Sequence, residues 1–339
     1  MRITIYADSD DKNYFKNFYY LERNRKIDRL KYIDIKSAKL TIKRFRNFKK
    51  HSLRELFNSY LAPIKIFFSF DISVINLKNR NLFLPALFAK LNKKIVYYNC
   101  GEEVNFNNSL SNFFSKTVSI THNRKGLEEF RKNNYKAFNI PICVDTSIFK
   151  PEQKTSDSKI RIIYTGKLEE ENGIKELSEV VSRFGAEKVN LFVVGNGSLL
   201  DEIKSWQKDS FVTYLGDIPN AEKLANIYTK SHIFVTNSNK LDLDHLDVSI
   251  LGAMSCELPI VCKDLEEPKE IVDDEKEGII FKDKEDLYEI LKKLIDDEKL
   301  RVELGRAGRE KVKQKFSLEA SSEKLYHIFK IEVSKIPFR

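Results

Sequence analysis

IRIIYTG (160–166), LFVVGNG (191–197), VTYLG (212–216), HIFVTNS (232–238) and PIVCKD (259–264) are the apolar runs that punctuate the stretch from Tyr164 to Phe281. Between them lie a charged turn with a helical pattern from Ile174, two further helical patterns, an acidic loop and the helical segment SILGAMSCE (249–257). Short β-branched runs alternating with helical patterns predict a parallel, doubly wound α/β sheet.

With 339 residues the chain is long enough for two such units with separate cores. Its 42% hydrophobic and 12% aromatic content excludes a disordered chain, and no repeat or low-complexity tract is present. The apolar start Met1 to Ala7 runs straight into Asp8-Ser9-Asp10-Asp11, so it reads as a first strand, not a signal peptide. No apolar run approaches the ~18 residues of a membrane span. Cys100, Cys143, Cys256 and Cys262 stand far apart without a C-x-x-C pair, which predicts reduced thiols in a cytoplasmic protein and no zinc site. The net charge of +9 is unevenly placed: 29 Lys and Arg against 13 acids through Lys150, then 30 against 37.

The first half alternates too. Strands are expected at Ile3 to Tyr6, Tyr32 to Ile35, Ile72 to Leu77, Ile95 to Asn99, Thr117 to Thr121 and Ala137 to Ile140. Helices are expected from Asp11, from Ser37, over Leu82 to Leu91 and over Arg124 to Lys132. Glu152 to Ser158 has little to bury and reads as a linker. The domains expected are therefore 1–150, a linker at 151–158, and 159–315. Two amphipathic helices cover 284 to 315, and a last helix begins near Ser317, with Leu325, Ile328 and Phe329 as its apolar residues.

These pieces resemble the C-terminal half of the GT-B glycosyltransferases, in particular the large retaining family 4, the glycosyl transferases group 1. Gly166-Lys167-Leu168 with Glu171-Asn172-Gly173 stands for the family's G-R-L-x-x-E-K-G, Val194-Gly195-Asn196-Gly197 for V-G-x-G, and Leu215-Gly216-Asp217 for L-G-x. Asn237-Ser238 stands for P-S, and Ala253 to Pro259 for A-M-A-C-G-x-P. Asn139 to Pro151 is similar to the segment that leads into the family's second domain, with Ile142-Cys143 in place of Asn-Gly. The resemblance implies a GT-B fold, two Rossmann-like doubly wound domains facing across a cleft, with a closing helix at 316–339 that returns to the first domain.

It also implies site residues. A sugar nucleotide carries about two negative charges on its pyrophosphate, so its site needs cations or backbone N–H groups. Lys167 replaces the family's Arg and keeps the charge without the bidentate fork. Asn172 replaces a Lys and keeps none. Counting back from Ala253 aligns the family's E-x7-E with Asp244, which can take a sugar hydroxyl, and with Gly252, where no ribose carboxylate stands. The backbone at Gly195 and Gly197, the Gly216-Asp217-Ile218 segment and His245 complete the expected donor contacts, and Cys100-Gly101 takes the place of a sugar-facing His-Gly in the first domain. Glu266-Glu267 falls where the family has a Gly-Gly turn, and Asp8 to Asp11 where it has a glycine-rich loop.

Asp242, Asp244 and Asp247 suggest a D-x-D metal site, but the preferred reading is charge-complementation of a helix starting near Leu246, because transfer in the family needs no metal. No cofactor is expected. His122, His232 and His327 read as structural, and Gly195-Asn196-Gly197 lacks the third glycine of a dinucleotide fingerprint. In Lys36 to Arg54 the cations Lys39, Lys43, Arg44, Arg46, Lys49 and Lys50 have no acid among them, which is either a solvated helix face or a docking surface for anionic lipid. Nucleic acid is disfavoured because no recognised binding module accompanies the cations. The expected activity is transfer of a sugar from a nucleotide donor to a glycan or lipid-linked acceptor by a cytoplasmic enzyme at the inner face of the membrane. The alternative is a GT-B-shaped scaffold subunit with a lapsed donor site, in which case Gly252→Glu with Asn172→Lys restores nucleotide affinity.

Overall fold

A computed structural model of the chain describes residues 2–7, 20, 23–24, 29–34, 72–76, 95–100, 118–122, 124–152, 159–209, 211–238 and 243–334. At 2–7, 29–34, 72–76, 95–100, 209, 243–247, 267 and 333–334 the description is of the backbone. The helices expected from Asp11, from Ser37 and over Leu82 to Leu91 lie outside the described residues, as does 153–158. The chain divides into two compact units, one of Met1–Ile142 with Leu318–Arg339, the other of Cys143–Ser317.

The first unit holds strands β1 (Arg2–Ala7), β2 (Arg29–Asp34), β3 (Ile72–Asn76), β4 (Ile95–Cys100), β5 (Val118–Thr121) and β6 (Ala137–Asn139). They form one sheet in the order β2-β1-β3-β4-β5-β6, parallel throughout. Helix α1 (Arg124–Lys132) buries Phe130 beside β5 and β6. The closing helix of the described chain, α9 (Leu318–Ser334), belongs to this unit and buries Leu325, Ile328 and Phe329. Ser321 donates to the Pro141 carbonyl at 3.2 Å, and Lys136 pairs with the buried Glu332.

In the second unit the apolar runs become β7 (Ile160–Thr165), β8 (Val189–Val194), β9 (Val212–Gly216), β10 (Ile233–Thr236), β11 (Ile260–Lys263) and β12 (Gly278–Phe281). The order is β12-β11-β10-β7-β8-β9, all parallel. Counted from β7 this is the 3-2-1-4-5-6 order of a Rossmann sheet, and the direction of winding reverses between β7 and β10. The helices are α2 (Ile174–Ser182), α3 (Leu200–Trp206), α4 (Ala221–Thr229), α5 (Leu243–Ser255), α6 (Glu266–Ile271), α7 (Lys284–Asp296) and α8 (Glu298–Lys311). Ile162, Leu191, Ile233 and Val261 of the strands close over Leu177, Val181, Leu287 and Leu291 of α2 and α7 in one core.

Helix starts follow local chemistry. Asn220 accepts from Lys223 N at 2.8 Å, Asp283 from Asp286 N at 3.0 Å, and Asp297 from Leu300 N at 2.9 Å, so three orphan amides of first turns are satisfied by side chains. α5 begins at Leu243, three residues before the expected Leu246. The spacing of Leu243, Leu246, Ile250 and Leu251 carries the helical period back through the acidic segment, which therefore forms the first turns and not a loop.

The units part at Ile142/Cys143, ahead of the expected boundary at 150. Residues 144–149 are tied into the second unit. Val144 N donates to the Phe316 carbonyl at 2.9 Å and bridges Ser317, while the Phe149 carbonyl accepts from Ser255 Oγ at 2.5 Å and from Arg309 Nη1 at 3.3 Å. A single π-helical turn at Val312–Phe316 links α8 to this point.

Lys311 packs its ammonium between Glu277 at 2.9 Å and Asp273 at 3.1 Å, with Lys311 and Glu277 side chains 10% and 8% exposed. Removing the cation leaves a buried carboxylate without its counter-charge. Lys311→Ala should therefore cost about 3 kcal/mol of stability, measured by denaturant unfolding, and Glu277→Gln in the same chain should recover part of it. Lys311 also holds the Asp273 carboxyl below its ordinary value. That contribution is present above about pH 4 and fades as pH falls through the lowered value.

Candidate active site at the switch point

Ligands of doubly wound sheets bind outside the carboxyl ends of the strands where the winding reverses. In the second unit that place is formed by the loops after β7 and β10, flanked by those after β8 and β9. Gly166 N donates to the Val194 carbonyl at 3.1 Å, Leu168 N to Asn196 O at 3.0 Å, and Gly195 N to Gly216 O at 3.0 Å. Tyr164 Oη caps the Lys167 carbonyl at 2.8 Å and Tyr214 Oη the Gly195 carbonyl at 3.0 Å. Desolvation raises the Tyr164 phenol, so it stays a donor. The backbone motifs expected to border a donor, Gly166-Lys167, Gly195 to Gly197 and Gly216, are thus hydrogen-bonded into one surface.

Two glycines make that approach possible. A Cβ on Gly195 would lie 1.8 Å from the Gly166 carbonyl oxygen, and one on Gly197 2.4 Å from that of Leu168. Gly216, at φ +90°, faces open space instead. Lys167 is exposed, as is Asp217, and Ile218 is half-buried.

Asn172 lies in a 3₁₀ turn, Glu170–Asn172, and donates from Nδ2 to Ser238 Oγ at 3.2 Å. Beside it Asn237 Nδ2 donates to the Gly173 carbonyl at 3.1 Å. Gly173 is left-handed at φ 69°, and a Cβ there would meet the Asn237 carbonyl at 2.1 Å. Asn237 and Ser238 form a clasp across the switch point that the sequence does not signal beyond Asn237 standing where the family has Pro. Glu169 is a second unforeseen contact: it accepts from the Ser198 amide at 3.0 Å, ahead of α3.

Asp244 and His245 lie in the first turn of α5, where the backbone alone is described. Cys100 ends β4 in the first unit's sheet, while Gly101 and Lys39, Lys43, Arg44, Arg46, Lys49 and Lys50 lie outside the described residues. Glu266 is exposed and opens the short helix α6, so a carboxylate sits at that helix's positive end. Glu257, in the place of a family glycine, adopts φ 59°, and its carboxylate lies 3.9 Å from Arg309.

The surroundings of Gly252 bear on the substitution that the scaffold alternative invites. The glycine is buried in α5, and a Cβ would lie 3.1 Å from the Tyr228 ring and 3.2 Å from that of Phe149. Tyr228 is fully enclosed, with its hydroxyl 3.0 Å from Thr165 Oγ1, and burial raises its phenol well above the ordinary value. A side chain at 252 starts against two aromatic rings, which must give way to admit it.

Two parallel doubly wound units in one chain, with glycine-lined loops at the second unit's switch point, define the GT-B class. Residues 145–311 match the sequence model of the glycosyl transferases group 1, so the second unit is a domain of that family and the chain is a glycosyltransferase. An uncharacterized glycosyltransferase of Methanocaldococcus jannaschii is 25% identical over 95% of this chain and 91% of its own. Among solved structures, a glycosyltransferase from Rickettsia africae superposes with a TM-score of 0.74 at 13% identity, covering 99% of both chains. Anabaena HepE, solved with UDP, gives a TM-score of 0.70 at 13% identity over 98% of this chain and 100% of its own.

Gly195→Ala should cost about 3 kcal/mol or more in a thermal melt, because the clash is with backbone. Gly216→Ala should cost about 1–2 kcal/mol from its φ alone. Gly252→Glu, with or without Asn172→Lys, should lower the melting temperature and leave nucleotide affinity no higher than in the parent protein.

Proposed function

We propose that this enzyme transfers a sugar from a nucleoside-diphosphate donor held by the second unit to a glycan or lipid-linked acceptor held by the first. The observation that carries the reading is the hydrogen-bonded surface made by Gly166-Lys167, Gly195 to Gly197 and Gly216 at the switch point. HepE, a neighbour in fold, has been solved with UDP and with UDP-glucose, which supports the donor class. Lys167 meets phosphate charge, the Gly216 to Ile218 backbone borders the base, and Asp244 takes sugar hydroxyls with His245 beside it. Cys100-Gly101 lies on the acceptor side.

Transfer proceeds with retention. The bond from the anomeric carbon to the phosphate oxygen breaks, its electron pair leaving with the diphosphate. The acceptor hydroxyl bonds to the same face of that carbon and gives its proton to the departing phosphate. Lys167 and backbone N–H groups meet the developing charge, so no metal is required. The basic segment with Lys39, Lys43, Arg44, Arg46, Lys49 and Lys50 places a cytoplasmic enzyme against anionic lipid, where a lipid-linked acceptor resides. Among the described residues no helix is long and apolar enough to cross a membrane.

Calorimetry with UDP, GDP and ADP tests the donor. Binding of at least one is expected, with Lys167→Gln weakening it about tenfold and added salt narrowing the difference. Absence of heat with all three at concentrations that reveal millimolar affinity would sink the reading. Turnover should survive EDTA. The scaffold alternative draws on Asn172, held by Ser238, and on the enclosed Gly252; release of free nucleotide from any sugar nucleotide eliminates it.

A further inference from the structure

Two turns of the second unit run side by side, Gly166 to Asn172 after β7 and Gly195 to Leu199 after β8. Their ties advance in step. Gly166 N donates to Val194 O at 3.1 Å, Leu168 N to Asn196 O at 3.0 Å, and Leu199 N back to Leu168 O at 2.9 Å. Each of these is a neutral backbone bond. The next tie is of another kind: both carboxylate oxygens of Glu169 are spent on Ser198, Oε1 accepting from the amide at 3.0 Å and Oε2 from the hydroxyl. One residue further, Glu170 pairs with Lys175 at 2.8 Å, and Lys175 with Glu202 of α3 at 3.0 Å.

Gly195 and Gly197 offer no side chain to interlock with the facing turn, so its register rests on hydrogen bonds. The approach there is close, with a Cβ on Gly197 meeting Leu168 O at 2.4 Å. Glu169 is half-buried and stands just ahead of the 3₁₀ turn Glu170–Asn172, where the first turn bends away from the second. A charge-assisted bond at that point is roughly twice as strong as a neutral one. Lys167 lies between the backbone tie at Gly166 and this carboxylate clamp, two residues from the clamp itself.

We propose that Glu169 is a positioning residue: by gripping Ser198 it fixes the turn that carries Lys167 against the glycine turn, and so acts on the diphosphate of the donor through Lys167. The inference rests on the reading that the second unit holds a nucleoside-diphosphate donor. It deepens that reading by assigning an acidic residue to the upkeep of a phosphate site. A cation contributes fully to binding only when its supporting residues hold it in place.

The test is calorimetry on the full chain with UDP, GDP and ADP, using a pair of variants of equal charge. Glu169→Gln keeps both contacts, its amide oxygen accepting from Ser198 N and its Nε2 donating to Ser198 Oγ, whereas Glu169→Ala keeps neither. For the nucleotide that binds, the glutamine variant should match the parent within about twofold and the alanine variant should bind about fivefold more weakly than the glutamine one. In a Lys167→Gln background the two should agree within about twofold, since the residue through which Glu169 acts is gone. Should the alanine variant not fold, Glu169→Asp, one methylene shorter at unchanged charge, is compared with the parent in both backgrounds. A merely structural role lowers the melting temperature of Glu169→Ala and leaves the affinity of the folded protein untouched. Equal affinity of the alanine and glutamine variants, or a difference that persists without Lys167, overturns the proposal while donor binding by the second unit stands. If none of the three nucleotides binds the parent protein, the donor reading fails and this inference falls with it.

Discussion

The second unit depends on one steric constraint: the loops after β7 and β8 approach so closely that the Gly166 carbonyl occupies the volume a side chain at 195 would need. From that approach follow the Gly166 to Val194 and Leu168 to Asn196 hydrogen bonds, and with them the position of Lys167. A similar constraint operates across the reversal of winding, where Gly173 lies against Asn237. Glycine contributes conformational freedom at 173 and absence of bulk at 195. The result is a surface of backbone groups held without reliance on flexible side chains.

Lys167 is the cation of the G-K-L loop, whereas Glu169 is turned onto the Ser198 amide and Asn172 onto Ser238. Side chains that could have faced a ligand are used to brace one loop against another. Such a frame presents preorganised backbone dipoles beside the charge of Lys167.

Much of the architecture was legible in the chain because parallel strands buried on both faces read as apolar runs, and the five runs quoted at the outset all became strands. The start of α5 was misplaced because Asp242, Asp244 and Asp247 look like a loop, although the leucine spacing around them is helical. The boundary at 150 was misplaced because Glu152 to Ser158 is polar. Hydrogen bonds of Val144 and Phe149, invisible in composition, assign the preceding residues to the second unit. Lys167 and the glycine loops could be read from motif order. The Asn237 clasp could not, because an amide's partner across 64 positions leaves no trace in local pattern.

The Val144 to Ser317 bridge has a topological meaning. It brings the two ends of the second unit together, so that Cys143–Ser317 is an insertion between β6 and α9 of the first. On a ribosome the first unit is begun early yet lacks α9 until the whole insertion has been made. The second unit has all its strands in hand before then and can fold as a closed loop of chain. The domain that starts first is therefore the one completed last.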